Sequence, residues 1–283
     1  MFSAYLELTK PRITTMVLVT AAMGFFFGGK GIHDWMLFIM TLLGVGLASS
    51  GGSVLNQYLE RDADSRMDRT KNRAIPSGLV SPSHALSFGI ILTLGGVFLL
   101  AWQVNLLTSF LVLLAAFLYV IVYTPMKKLS WLNTLVGAIP GAIPPLAGWT
   151  AASGNLGIGG WILFWILFFW QHPHFFAIAW MYRDDYQKGG FKMLPVVEPD
   201  GKRTFRQIIW HSILLIPISL MPTLIGMSGK LYFFGALVLG LAFLAVGILF
   251  SFSKSSIDAR KLLRASVIYL PLLLILIVVD AGF

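Results

Sequence analysis

Residues 56–73 read NQYLERDADSRMDRTKNR. The stretch starts while the chain is still apolar and ends in a basic loop, the pattern of a helix leaving a membrane. It holds four of the chain's twelve carboxylates and five of its twenty-one lysines and arginines. Asn56, Glu60, Asp64 and Asp68 recur every four residues, so a helix would set them in one slowly slanting stripe, with Asp62 well off it. Oxygen ligands beside a basic cluster suit a magnesium-bound polyphosphate: hard oxygens take the cation, and lysine and arginine take the phosphate. The plain alternative is a solvated loop end of mixed charge. Regular spacing, and a second acidic–basic loop further on, weigh against it.

Outward from this stretch the chain is apolar. Of its 283 residues 57% are hydrophobic and 12% charged, which excludes a soluble globular class. Nine spans are predicted, at roughly 13–29, 35–59, 84–103, 105–123, 131–150, 160–181, 207–227, 231–251 and 264–281. The third and fourth are joined by a tight turn near 102–105. The start, MFSAYLELTKPR, is polar, so the first apolar run is read as a span and no cleavable signal peptide is expected. With this count 19 of the 21 lysines and arginines fall on one side, leaving Lys30 and Lys230 opposite. The positive-inside rule then puts the N-terminus in the cytoplasm and the C-terminus outside, in the cell (inner, plasma) membrane. The fold class expected is all-α: one polytopic bundle of nine transmembrane helices over 1–283, with active-site loops at about 60–83 and 182–206. The absence of cysteine excludes disulfides, a thiolate nucleophile and cysteine-held zinc or clusters. The net charge of +9 is placed for a membrane surface and anionic ligands rather than nucleic acid.

Eight of the twelve acids lie in the loops after spans two and six: Glu60, Asp62, Asp64, Asp68, Asp184, Asp185, Glu198 and Asp200. The matching positions hint at a four-helix duplication, although no sequence self-similarity supports one. Pro140, Pro144 and Pro145 with Gly137, Gly141 and Gly148 are expected to break up span five, to line a cavity or as ordinary membrane-helix enrichment. After span six, Asp184 and Asp185 repel each other, and a divalent cation would relieve that repulsion. Arg183, Lys188 and Lys192 flank them. Two such loops over an apolar bundle describe prenyl transfer within a membrane: metal, diphosphate and a greasy tail. His33 and His84 read as surface residues, while His211 is open. Trp161, Trp165 and Trp170 read as interface or core packing, and Asp280 as a span end.

These motifs carry a resemblance along nearly the whole chain to the UbiA superfamily of membrane prenyltransferases. Asn56, Glu60 and Asp64 fit its first motif, an asparagine followed by two acids at four-residue steps. ERDADSRMDRTKNR, TKPRI at 9–13, HFFAIAWMYRDDY at 174–186, MLPV at 193–196 and the C-terminal ARKLLRASVIYLPLL are similar to its heme-farnesylating branch, the heme O synthases. Elsewhere in the superfamily the second motif often has acids flanking the central pair. Here those places hold Tyr182 and Tyr186, which leaves the number of metal ions open.

The resemblance implies a UbiA-type fold and transfer of farnesyl from farnesyl diphosphate to a vinyl group of heme B, with Mg²⁺ as cofactor. It places the metal on Asn56, Glu60, Asp64 and Asp68, with Asp184 and Asp185 opposite. Diphosphate contacts go to Arg69, Lys71, Arg73, Lys188 and Lys192, then Lys10, Arg12 and Lys128. From position alone, Tyr58, Tyr119 and Tyr123 are candidates to face the allylic cation. His174, which fits the branch better, and His172 would touch heme iron, against the alternative of buried histidines bonded to a neighbouring helix. Heme A synthase is the partner implied by the branch. Competing readings are a quinone-precursor or chlorophyll-like acceptor, a transporter, and a non-catalytic oxidase assembly factor. Acids gathered at one face suit ion conduction poorly, and an assembly factor needs no spaced metal ligands.

Overall fold

In the computed structural model, which describes residues 2–282, every regular element is helical. The chain runs through α1 (Phe2–Leu8), α2 (Pro11–Gly28), α3 (Trp35–Asp64), α4 (Pro82–Gln103), α5 (Leu106–Leu129), α6 (Asn133–Ser153), α7 (Ile158–Met181), α8 (Arg183–Lys188), α9 (Leu194–Val197), α10 (Lys202–Leu224), α11 (Lys230–Ser253) and α12 (Ser256–Val279). All but α1, α8 and α9 are long and apolar enough to cross a membrane, nine among the described residues, the number expected. Large apolar side chains such as Ile91, Phe98, Val238 and Ile275 face outward. That arrangement is costly in water and neutral in lipid.

Two compact units divide the chain: residues 2–160 with Asp184–Lys192, and Trp161–Arg183 with 193–282. In the first, α2 packs on α6 and α3 on α4 with backbone nearly touching backbone. A Cβ added at Gly148 would lie 1.8 Å from the Ala21 carbonyl oxygen, and one at Gly24 1.8 Å from that of Pro145. Between α3 and α4 the same role falls to Gly51, whose Cβ would lie 2.5 Å from the Thr93 nitrogen, and Gly96, 2.5 Å from the Gly44 oxygen. Lipid tails are as apolar as leucine, so membrane helices associate through such close packing rather than through apolar burial. Gly148→Val should therefore force α2 and α6 apart. The expected cost is about 1–3 kcal/mol or more, read as a lower unfolding temperature of the purified protein; an unchanged temperature would contradict this packing.

In the second unit α10, α11 and α12 pack in sequence. Ser219 and Tyr269 share a buried hydrogen bond of 2.9 Å, and Trp180, Phe205 and Phe250 form an aromatic cluster. Asp280 is a span-end residue with a task. Its carboxylate accepts from the Tyr232 N–H at 2.7 Å, satisfying one of the free donors in the first turn of α11.

The structure changes several expectations. Span five is not broken: α6 is one continuous helix carrying Pro140, Pro144 and Pro145, and all three are buried. Close neighbours hold it together where its own backbone bonds are missing. The last span starts at Ser256, so Arg260, Lys261 and Arg264 are helical rather than in a loop. Helix α3 runs past the predicted end at 59 to Asp64, where Ser65 caps it. Asp68 therefore lies beyond the helix, and the stripe has three members.

Candidate active site

The polar end of α3 carries Asn56, 1% exposed, Glu60, 5%, and Asp64, 0%. At such burial each polar group needs a partner, and segments far from α3 in the chain supply most of them. The Asn56 amide donates to Thr124 Oγ1 at 3.0 Å and its oxygen accepts from Lys10 Nζ at 3.1 Å. Lys127 Nζ stands 2.7 Å from Glu60 Oε1. Arg73 Nη1 reaches both oxygens of Asp64, at 2.9 and 2.8 Å. Thr70 Oγ1 donates to the Asp64 carbonyl, closing the loop back on the helix end.

Lys10 has a left-handed backbone, φ 49°, just ahead of Pro11. That conformation is sparsely populated for a lysine and disfavoured before proline, so surrounding structure holds it. Burial pushes the Lys10 ammonium down to about 7, with Arg73 and Lys127 adding to the effect and Glu60 opposing it. Three cations thus face three oxygen-bearing side chains, and the positive charges crowd one another.

Helix α5 brings the aromatic wall. Its residues Leu118–Tyr123 are π-helical, a distortion found often at functional sites. Tyr119 and Tyr123 stack at 5.7 Å, and Lys127 Nζ lies 4.6 Å from the Tyr123 ring centre. Gly137 leaves room for Tyr123: a Cβ there would lie 2.5 Å from the ring.

Asp184–Lys192, from the second acidic loop, belong to the same unit. Asp185 accepts from the backbone N–H groups of Asp68 and Arg69, at 2.9 and 3.1 Å. Asp68 is exposed and bonded to Lys188 at 2.6 Å and Lys71 at 2.8 Å. Lys188, then Lys71, holds its carboxyl down to about 2. Arg69 bonds the Tyr186 hydroxyl at 3.3 Å, and Lys192 is tied by its backbone to Lys127 and Asn133. Asp184 is exposed in the first turn of α8. Asp185→Ala should release the two amides it holds. Their hydrogen exchange should rise about tenfold, the loss of one hydrogen bond to a charged group at about 1.5 kcal/mol; unchanged exchange at Asp68 and Arg69 would refute the tie.

Several expected residues stand elsewhere. Tyr58 lies on the opposite face of α3 from Asn56 and Glu60, packed with Tyr5 and Phe88 against a cluster of Leu8, Val54, Ile75 and Val80. There it seats the loop after α3, and the cation over its ring is the Arg61 guanidinium, 4.7 Å from the ring centre. Arg12 and Lys128 are exposed, whereas Lys127 is the lysine turned inward. Lys127 and Thr124 were not anticipated. A four-residue rhythm of Tyr119, Tyr123 and Lys127, the same spacing as in α3, is the signal that marks Lys127; Thr124 lies off it.

His172, His174 and His211 belong to the second unit. His174 Nδ1 is 2.7 Å from Ser266 Oγ. His172 Nδ1 is 2.6 Å from the Phe168 carbonyl and its ring stacks on His211 at 3.8 Å, while its buried Nε2 has no hydrogen-bond partner among the described residues.

The donor set can be tested against a divalent cation. Asn56, Glu60 and Asp64 offer hard oxygens, the type that Mg²⁺ takes. Glu60 Oε1 is paired with Lys127 at 2.7 Å, and the remaining lone pairs of the carboxylate leave it capacity for another partner. Among the described residues no three histidine or acidic side chains lie close enough to hold a metal by themselves. The chemistry fits an ion shared with an anionic ligand's own oxygens.

Nine apolar helices among the described residues, with acids and cations interleaved at the polar end of α3, define a membrane protein built to handle a charged group beside an apolar interior. The profile of the UbiA prenyltransferase family matches residues 17–270, and the chain belongs to that family. It is 46% identical to the protoheme IX farnesyltransferase of Solibacter usitatus, over 98% of each chain. Among solved structures it resembles a digeranylgeranylglyceryl phosphate synthase, with a TM-score of 0.83, 18% identity and 99% and 98% of the two chains covered. A UbiA homolog from Archaeoglobus fulgidus bound to GPP and Mg²⁺ gives a TM-score of 0.67 at 17% identity, over 97% and 99%. At those identities the structural likeness is one of fold. The chain is a multi-pass membrane prenyltransferase.

Proposed function

We propose that this chain joins the farnesyl group of farnesyl diphosphate to a vinyl group of heme B, with addition of water and release of diphosphate, to give heme O. The observation that carries this reading is the end-to-end likeness to relatives named protoheme IX farnesyltransferase. The quinone-precursor and assembly-factor readings have no comparable support. Because the basic loops sort to one face, we place the site on the cytoplasmic side of the cell membrane.

Breaking the allylic C–O bond puts charge on diphosphate, and fixed donors aimed at that charge lower the barrier. Arg73, Lys127 and Lys10 are such donors, already positioned by Asp64, Glu60 and Asn56; Lys71 and Arg69, on the loop after α3, and Lys188, at the end of α8, are further, exposed donors. Asn56, Glu60 and Asp64 would hold Mg²⁺ together with phosphate oxygens, with Asp68, Asp184 and Asp185 as outer carboxylates. When bound, the ion supplies further charge stabilisation of the leaving group. Tyr119 and Tyr123 present ring faces suited to an allylic cation. On the heme side, His174 is the candidate iron contact, and His172 the second.

Purified protein with farnesyl diphosphate, heme B and Mg²⁺ should yield a hydroxyethylfarnesyl heme by mass spectrometry, and EDTA should abolish it. Prenylation of a quinone precursor instead would overturn the heme assignment and keep the family. Full turnover in EDTA would overturn the metal assignment.

A further inference from the structure

At one end of the second unit, the first turns of α10 meet the last turn of α11 in an open groove of ≈ 370 Å³. Its polar end presents Lys202, Arg206 and Lys254; Ile209, Trp210 and Phe252 continue it along the apolar faces. Trp210 is 56% and Phe252 83% exposed, on helices long and apolar enough to cross a membrane. The charge is only partly spent. Lys202 stands 3.5 Å from the exposed Asp200 carboxylate, and Lys254 donates to the Asp200 carbonyl at 3.0 Å. Arg206 has no acidic partner among the described residues. Lys254 is fixed by a left-handed backbone, φ 51°, and its carbonyl accepts from the Trp180 indole at 3.1 Å. The rim is therefore held in place rather than loose.

We propose that this groove is a binding site for an anionic glycerophospholipid, built from residues other than those of the α3 cluster. The lipid phosphate would sit among Arg206, Lys202 and Lys254, and an acyl chain would lie along Ile209, Trp210 and Phe252. The argument is one of complementarity. A soluble phosphate would use the cations but leave the adjoining aromatic faces bare, and a neutral lipid would leave Arg206 without a counter-charge. An anion attached to an acyl chain satisfies both ends. Basic residues near a bilayer attract anionic headgroups, and basic pockets between membrane helices hold them. An indole beside them suits the interface, being apolar in body and polar at one edge.

The test uses the full-length protein in mixed phosphatidylcholine–phosphatidylglycerol nanodiscs, extracted and read by native mass spectrometry for retained lipid. Wild type should retain phosphatidylglycerol well above its share of the bilayer. The double variant Lys202→Gln/Arg206→Gln should retain about tenfold less, with prenyl transfer in detergent unchanged. The control double variant Arg260→Gln/Arg264→Gln removes the same charge from α12 and should retain the lipid as wild type does. Retention at the bulk share in wild type would overturn the proposal, as would equal loss in both double variants. Displacement of the lipid by millimolar inorganic phosphate would also overturn it, since the groove would then be a soluble-anion site. Each readout is independent of which acceptor the enzyme prenylates.

Discussion

Asp64→Asn should lower turnover by about 10²–10³-fold, the loss typical of removing one preorganised group that stabilises transition-state charge. The side chain is 0% exposed, and both of its oxygens are held by Arg73. Asparagine keeps the shape and one acceptor oxygen but removes the charge. Arg73 then loses the carboxylate that aims it, and the candidate cation site loses its most buried anionic ligand. Alanine would also abolish turnover, but it leaves Arg73 half-buried and unpaired, so folding and catalysis would fall together. The measurement is kcat and KM for farnesyl diphosphate across a Mg²⁺ titration, alongside the unfolding temperature. A large fall in kcat with a raised Mg²⁺ requirement is the expected pattern. Retained activity in well-folded Asp64→Asn would remove Asp64 from the reaction.

Lys127→Met is the second large effect, and it should act on stability as well as on rate. Glu60 and Lys127 form a nearly buried pair, with side chains 6% and 13% exposed. Removing one partner strands the other charge, at a cost of about 3–5 kcal/mol. The expected variant unfolds at a clearly lower temperature and turns over at about a hundredth of the wild-type rate or less, having lost a donor aimed at the leaving group. Glu60→Gln added to Lys127→Met separates the two effects. With no charge stranded, much of the stability should return; the rate should not, because both proposed roles are now missing. Recovery of turnover in the double variant would mean that Lys127 serves only to neutralise Glu60.

These residues show where sequence reading works and where it stops. Asn56, Glu60 and Asp64 were legible because a four-residue rhythm on an exiting helix admits few other geometries. The same rhythm misled at Asp68. Nothing in Ser65, Arg66 or Met67 is a strong stop, so the end of α3 is set by Arg73 and Thr70 folding back onto Asp64. Tyr58 was proposed from its nearness in sequence, yet two positions on a helix is more than half a turn, and that face is claimed by the cluster around Val54 and Ile75. Between Lys127 and Lys128 the sequence offers only the four-residue rhythm with Tyr119 and Tyr123, which falls on Lys127. The π-helical segment before them shifts the register of α5 and turns Lys127 toward Glu60.

The amino-acid sequence by itself determined the nine helices, the clustering of charge and the family. Those follow from lengths, counts and local periods, which burial in an apolar solvent imposes one segment at a time. Only the tertiary structure decided which cation meets which acid. Lys10, Arg73 and Lys127 come from three elements far apart in the chain, and their meeting depends on helix ends, a left-handed lysine and the nearly touching backbones of α2, α6, α3 and α4. Such long-range pairings carry no local signature, because they form only once the helices that bear them have packed.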